Sequence, residues 1–87
     1  MRPRLTIAIP TWNRARVLEP ALLGLFRARA GFSEQVEIIV SDNASPDDTC
    51  AVAQAWQHKP NFRYFRHPQN VGAANNVLNI ARNLAQG

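Results

Sequence analysis

The sequence predicts an α/β fold in which strands and helices alternate, and three observations predict it. Short apolar, β-branched or aromatic runs begin at Leu5, Val36 and Phe62, roughly the thirty residues of a βαβ unit apart. After each run, apolar residues recur at the three-and-four spacing of a helix with one buried side. Turn-forming residues, Pro10, Gly31, Pro60 and Gly72, fall at the joints.

The first element, Leu5 to Pro10, is apolar at nearly every position and reads as a strand buried on both sides of a parallel sheet. A loop from Thr11 to Arg14 leads into a helix over about 17–29, with Leu18, Ala21, Leu22, Leu25 and Phe26 on its buried side. Pro20 fits only the first turn, where N–H groups lack partners in any case, so the helix should not begin far before it. Gly31 ends it.

The second strand is Val36 to Ser41, and its continuation has the clearest punctuation in the chain. In VEIIVSDNASPDDT, Ser45 is a good N-cap, Pro46 suits the first helical position, and Asp47 and Asp48 lie where the helix dipole favours carboxylates. The helix should run to about His58, with Thr49, Val52, Ala53 and Trp56 inward and Pro60 and Asn61 beyond its end. Phe62 to Arg66 is a third strand, more exposed than the others and at an edge. A turn at Gln69 to Gly72 precedes a third helix over about 74–85, whose core stripe is Ala74, Val77, Leu78, Ala81, Leu84 and Ala85. Gly87 stands where a C-terminal glycine belongs.

The order is β-α-β-α-β-α, a Rossmann-like arrangement with a three-stranded parallel sheet, most simply in the order 3-2-1. The free side of the first strand calls for a further strand, so the chain reads as the front part of a larger domain. Its 87 residues are 46% hydrophobic and 18% charged, which fits a small globular unit and not a disordered one. Arg provides nine of the ten cations behind the +4 net charge, but they are scattered, so no nucleic-acid partner is expected. An anion-binding role through these Arg residues ranks last. Cys50 is the lone cysteine, reads as a small packing residue, and fits a reducing, cytoplasmic setting. The apolar run near the start is too short for a signal-peptide core or a membrane span.

The chain lacks the glycine-rich phosphate loops of dinucleotide and P-loop proteins, and a serine-hydrolase elbow. His58 and His67 have no zinc-ligand pattern and read as loop or helix-end residues. What remains is a polar group at strand C-termini: Thr11 and Asn13 after the first, Asp42 and Asn43 after the second, where open α/β sheets bind ligands. Two readings of Asp42 stay open. It could accept N–H groups from a nucleobase edge, or it could form an Asx turn with its own loop.

Three stretches, TIAIPTWNR, VEIIVSDNASPDDT and NVGAANNVLNIARNLAQG, closely resemble in order and separation the N-terminal half of family 2 glycosyltransferases, inverting enzymes of the GT-A fold. The resemblance covers nearly the whole chain. It implies a nucleotide-sugar donor at the strand ends, with Pro10, Thr11 and Asn13 lining the nucleoside pocket and Asp42 reading the base. It also implies that Asn70 and Gly72 form the turn that brings the third helix to the donor, and that Asn76 or Asn79 occupies the family's helix asparagine position. Which one is open, and a solvated polar face is the alternative for both.

The family's metal-binding acid motif would lie just beyond the glycine matched by Gly87, and its catalytic carboxylate far downstream. Neither falls within 1–87. None of the six acids is placed as a general base, so no catalytic or metal-binding residue is assigned. The chain is therefore expected to be a partial GT-A nucleotide-sugar-binding domain, truncated at its C-terminal end and inactive alone. It should bind no cofactor by itself, with Mg or Mn serving the complete enzyme. Further expectations are an unidentified acceptor, peripheral membrane association of the full enzyme, and self-association through the exposed sheet edge. The competing reading is a non-catalytic interaction module with a vestigial nucleotide pocket.

Overall fold

The computed structural model describes residues 3–85. Its elements are β1 (Leu5–Thr11), α1 (Ala15–Ala28), β2 (Val36–Asp42), α2 (Thr49–Gln54), β3 (Phe62–Arg66) and α3 (Ala73–Asn79), which continues as one π-helical turn, Ile80–Leu84. The expected helix-end role of Gly87 lies outside the described residues.

All strands are parallel, in the order β1-β2-β3, which is the expected 3-2-1 sheet. β2 is central, and Ile38, Ile39 and Val40 are wholly buried because both faces are covered. On one face Ile38 and Val40 meet Leu18, Leu22 and Phe26 of α1, Ala53 of α2 and Phe62 of β3. Phe26 stacks on Trp56 (centroids 5.1 Å apart) and meets Phe62 edge-on (5.5 Å). Side chains alternate along a strand, so Ser41 points to the opposite face, where α3 packs on β1 and β2. Among the described residues no helix is long and apolar enough to cross a membrane.

Several expectations need correction. β1 is not buried on both sides: it is the open edge of the sheet, Leu5 is 54% exposed, and β3 is the better covered edge. Its apolar sequence is that of an inner strand, but among the described residues only β2 pairs with it. α1 begins at Ala15, ahead of the expected start, which puts Pro20 in the second turn. The early start is supported from outside the helix, since Asp47 Oδ2 accepts the Ala15 N–H at 3.1 Å.

α2 is only six residues long and begins at Thr49. Ser45 is not its N-cap and Pro46 is not its first residue, because the Ser45 hydroxyl is engaged at the sheet edge. Asp47 instead receives the Thr49 N–H at 3.0 Å together with the Thr49 hydroxyl. Beyond Gln54 the chain tightens into i→i+3 turns, such as Trp56 N–H to Ala53 O at 3.0 Å.

The largest departure is α3. Most of the stripe expected to be core faces outward: Val77 is 49% and Leu78 43% exposed, Ala74 and Ala81 are exposed too, and Leu84 and Ala85 are half-buried. Asn76 and Ile80 are the buried residues. The sheet face that α3 meets is polar, carrying Ser41 and an ion pair of Glu37 with Arg63 at 3.3 Å, with Thr6 donating to Glu37 at 2.7 Å. A hydrogen-bonding helix face therefore satisfies it better than an apolar one.

At the far rim, buried Arg29 follows α1 and donates to the carbonyls of Val36 (2.7 Å), Asn61 (3.2 Å) and Pro60, its guanidinium lying over the Phe26 ring. One side chain thus ties the end of α1 to the starts of β2 and β3.

Candidate functional site

The parallel register brings Thr11, Asp42 and Arg66 into one row across the C-terminal edge of the sheet. The three following loops close around that row. Asn43, itself buried, joins them: its N–H donates to Thr11 O at 2.9 Å, its Nδ2 to Asn70 Oδ1 at 3.0 Å, and its Oδ1 accepts the Val71 N–H at 2.8 Å. Asn70 Oδ1 also accepts the Gly72 N–H at 2.8 Å, closing a turn in which Gly72 has φ of 89°. A side chain there would be strained by the backbone, although the space beside it is open.

Asp42 is the centre of the row and is completely buried. Its Oδ1 accepts the Ser45 N–H (2.9 Å) and the Ser45 hydroxyl (2.5 Å); its Oδ2 accepts the Tyr64 hydroxyl (2.5 Å) and Arg66 Nη1 (3.3 Å). A carboxylate offers about four acceptor positions, and all of them are taken. Ser45 passes the connection on, its Oγ accepting the Asn13 N–H at 2.8 Å and holding Asn13 at φ of 54°, a conformation that asparagine tolerates. Burial, followed by the bond to Asp42, raises the Tyr64 phenol well above its ordinary range. The bond to Tyr64 and the charge of Asp42 hold the exposed Arg66 guanidinium above its usual value.

Of the remaining expected residues, Pro10 is exposed and paired in register with Ser41, while Thr11 is buried. Asn76 reaches Ser41 and His67 on the other face and is fully engaged there. Asn79 is half-buried; its Oδ1 accepts from Asn83 at 2.7 Å, and its buried Nδ2 has no partner. Of the two asparagines, Asn79 keeps an unused donor.

The sequence reading did not assign Ser45, Tyr64, Arg66 or His67 to the site. Parallel pairing offered a signal for Arg66, since the last residue of an adjacent strand falls beside Asp42. Nothing comparable marked His67, whose burial depends on where α3 docks.

Two hollows lie away from this edge. One of about 220 Å³ lies between Phe26, Arg29, Lys59 and Pro60, and an apolar one of about 200 Å³ lies beside Leu5 and Phe32. Among the described residues no three His, Cys, Asp or Glu side chains gather to hold a metal ion. Asp42 and Asp47 direct both carboxylate oxygens at N–H and O–H donors, so these residues do not fit a divalent cation.

Residues 6–87 match the family model described as Glycosyl transferase family 2. Abequosyltransferase RfbV of Salmonella typhimurium is 37% identical over 85 residues, which are 95% of this chain and 25% of that protein. Mannosyltransferase PcManGT from Pyrobaculum calidifontis, solved in complex with GDP-Man and Mn2+, superposes with a TM-score of 0.73 at 26% identity, over 90% of this chain and 24% of that one. TarS of S. aureus superposes with a TM-score of 0.77 over 97% of this chain and 25% of its own, a likeness of fold at 23% identity. The chain spans about a quarter of the length of these proteins.

Proposed function

The chain belongs to glycosyl transferase family 2 and has the α/β topology of the GT-A fold, and from that premise we propose that it is the nucleotide-sugar-binding front portion of a transferase. The enzyme would move a sugar from its nucleotide donor to an acceptor hydroxyl with inversion. One observation carries this reading: three loops converge on the row Thr11, Asp42, Arg66 and are tied together by Asn43. That is the edge at which open α/β sheets bind nucleotides.

In this proposal Pro10, Thr11 and Asn13 line the nucleoside position, and the Asn70–Gly72 turn carries α3 to the donor. Asn76 positions the helix through its bonds to Ser41. Asp42 organises the base end of the site, since its own oxygens are already occupied. The open edge of β1 and the outward apolar side of α3 support the view that the chain is part of a larger domain. The divalent cation of the complete enzyme and its catalytic carboxylate belong to residues other than these, so the chain alone is inactive.

The test is a titration of the chain with nucleoside diphosphates, followed by NMR, and an assay for turnover of nucleotide sugars. Saturable binding that weakens strongly in Asp42→Ala supports the proposal. Absence of binding, with self-association through the β1 edge, supports the interaction-module reading. Turnover by the isolated chain would overturn the claim of inactivity.

A further inference from the structure

The N-terminal rim of the sheet, at the other end of the strands from the Asp42 row, gathers two cations around one hollow. That hollow, of about 220 Å³, lies between Phe26, Arg29, Gly31, Ser33, Lys59 and Pro60. Arg29 is only 5% exposed, and its guanidinium carbon sits 4.7 Å from the Phe26 ring centroid. The Lys59 ammonium lies 5.9 Å from the same centroid and has no ion pair or hydrogen bond among the described residues. Nη1 of Arg29 donates to Val36 and Asn61 and Nη2 to Pro60, while Nε meets no acceptor among the described residues and is not sealed from solvent. The Ser33 carbonyl is already matched by Asn61 Nδ2 at 2.6 Å. The side-chain groups left open around the hollow are thus Arg29 Nε, Lys59 Nζ and the Ser33 hydroxyl, all of which can donate. Burial lowers the Arg29 guanidinium below its ordinary value and no acid acts against that, since Glu34 lines a neighbouring hollow and not this one.

We infer that this hollow binds a phosphate group, free or carried by a small molecule, between Arg29 and Lys59 with the Ser33 hydroxyl as a further donor. Two like charges held beside one ring with no acid between them repel, and an anion placed there removes the repulsion. The charge selects the class of ligand. A phosphate monoester carries about −1.5 to −2 near neutral pH and offers three acceptor oxygens, enough to match both cations, whereas a carboxylate supplies one charge. The scattered arginines elsewhere form no continuous basic face, so the occupant is a small anion and not a polyanion. The seven residues of β2 put this rim roughly 20 Å from the Asp42 row, so the inference stands apart from the nucleotide-sugar reading. Because Arg29 ties the end of α1 to the starts of β2 and β3, a phosphate held there also stabilises the fold by mass action.

The experiment is an NMR titration of the chain with inorganic phosphate, glycerol phosphate and acetate, at constant ionic strength and a pH about one unit above the second phosphate pKa of about 6. Both phosphates should give saturable changes centred on the amides of Gly31, Ser33 and Lys59, with Thr11 and Asn43 unmoved. Acetate should bind at least about tenfold more weakly. Substitution of Arg29 would mix binding with the loss of its carbonyl contacts, so Lys59 carries the test. Lys59→Met keeps the stem beside Phe26 and should weaken phosphate binding at least about tenfold, the loss expected for one charge-assisted contact. Arg82→Gln removes one exposed charge elsewhere and should change binding less than about twofold. The same spectra verify the fold of each variant. Tighter binding of glycerol phosphate identifies an ester as the occupant, and tighter binding of inorganic phosphate identifies the free ion; either supports the site. Changes that grow without saturating, an equal loss in Arg82→Gln, full binding in Lys59→Met, or acetate binding as tightly as phosphate would each overturn it. None of these outcomes bears on the strand-end proposal.

Discussion

Asn76 holds Ser41 at both ends of its amide: Nδ2 donates to the Ser41 carbonyl at 2.9 Å, and Oδ1 accepts the Ser41 hydroxyl at 2.5 Å. The first bond fixes which way the amide points. Oδ1 therefore also faces His67 Nε2, at 3.1 Å, and because a carbonyl oxygen only accepts, Nε2 must carry a proton. The α3 helix is docked on β2 by this polar contact, and Ile80 of the turn that follows is buried as well.

Asn76→Ala should therefore cost stability although it removes no apolar surface. The buried Ser41 carbonyl would lose its side-chain donor and the hydroxyl its acceptor, and the expected loss is about 2 to 3 kcal/mol in urea unfolding. The double substitution with Ser41→Ala should be less than additive by about 1 kcal/mol or more. A loss within about 0.5 kcal/mol, typical of an indifferent surface position, would mean that α3 is docked by other contacts. Nitrogen chemical shifts of His67 should show the Nε2–H form.

That helix also marks the boundary of what the sequence made legible. Strand positions were readable, because β-branched runs flanked by turn residues have few alternatives, and β3 falls at Phe62–Arg66 as expected. The helical period of α3 was readable too, but a period identifies a stripe without naming what it faces. Val77 and Leu78 face outward because the adjacent sheet surface is polar, a fact held in Glu37, Ser41 and Arg63 far away in sequence. Ser45 misled in a similar way. Its cap chemistry was real, but a side chain that can cap can also bond elsewhere, and Asp42 and the Asn13 N–H took it. Local rules locate such residues well, and tertiary contacts decide their partners.

Arg29 offers a test of the opposite rim. Arg29→Met keeps much of the stem that lies against Phe26 and removes all the bonds to the carbonyls of Val36, Pro60 and Asn61. Hydrogen bonds to charged groups are among the stronger ones, so a loss of about 2 to 4 kcal/mol in thermal or urea unfolding is expected. Arg29→Lys should recover little of it, since one ammonium cannot span carbonyls on separate strands. Full recovery by lysine would show that the charge matters and the fork does not.

Asp47 links the first residues of two helices, accepting from Ala15 at the start of α1 and from Thr49 at the start of α2. Its bond from the Thr49 hydroxyl, with the backbone N–H groups of Ala15 and Thr49, holds its pKa below the ordinary 3.8. A carboxylate lowered in the folded state binds fewer protons there than when unfolded. Its stabilisation is therefore present above pH 3.8 and is lost as pH falls through the lower folded value. Asp47→Asn should flatten the acid limb of a stability-against-pH curve and loosen the Asn13–Ala15 loop in hydrogen exchange. An unchanged acid limb would place the acid sensitivity in other carboxylates.

Tyr64 is the only tyrosine in the chain, so its ionisation can be followed by phenolate absorbance without ambiguity. Burial, then the hydrogen bond to Asp42, pushes its pKa above the ordinary 10.0. The neutral phenol is the form that can donate to a carboxylate, and the phenolate would place two negative charges 2.5 Å apart. The sign follows from proton binding: the folded state retains a proton that the unfolded chain releases above pH 10.0, so this contribution is intact below that pH and lost as pH rises through the folded value. Phenolate absorbance should consequently stay low past pH 10.0 and then appear together with loss of structure. In Asp42→Asn the charge repulsion is gone, so ionisation should begin at lower pH than in the unmodified chain while remaining above 10.0 through burial. Ordinary titration near 10.0 in a chain that is still folded would show that the Tyr64–Asp42 bond does not persist in solution.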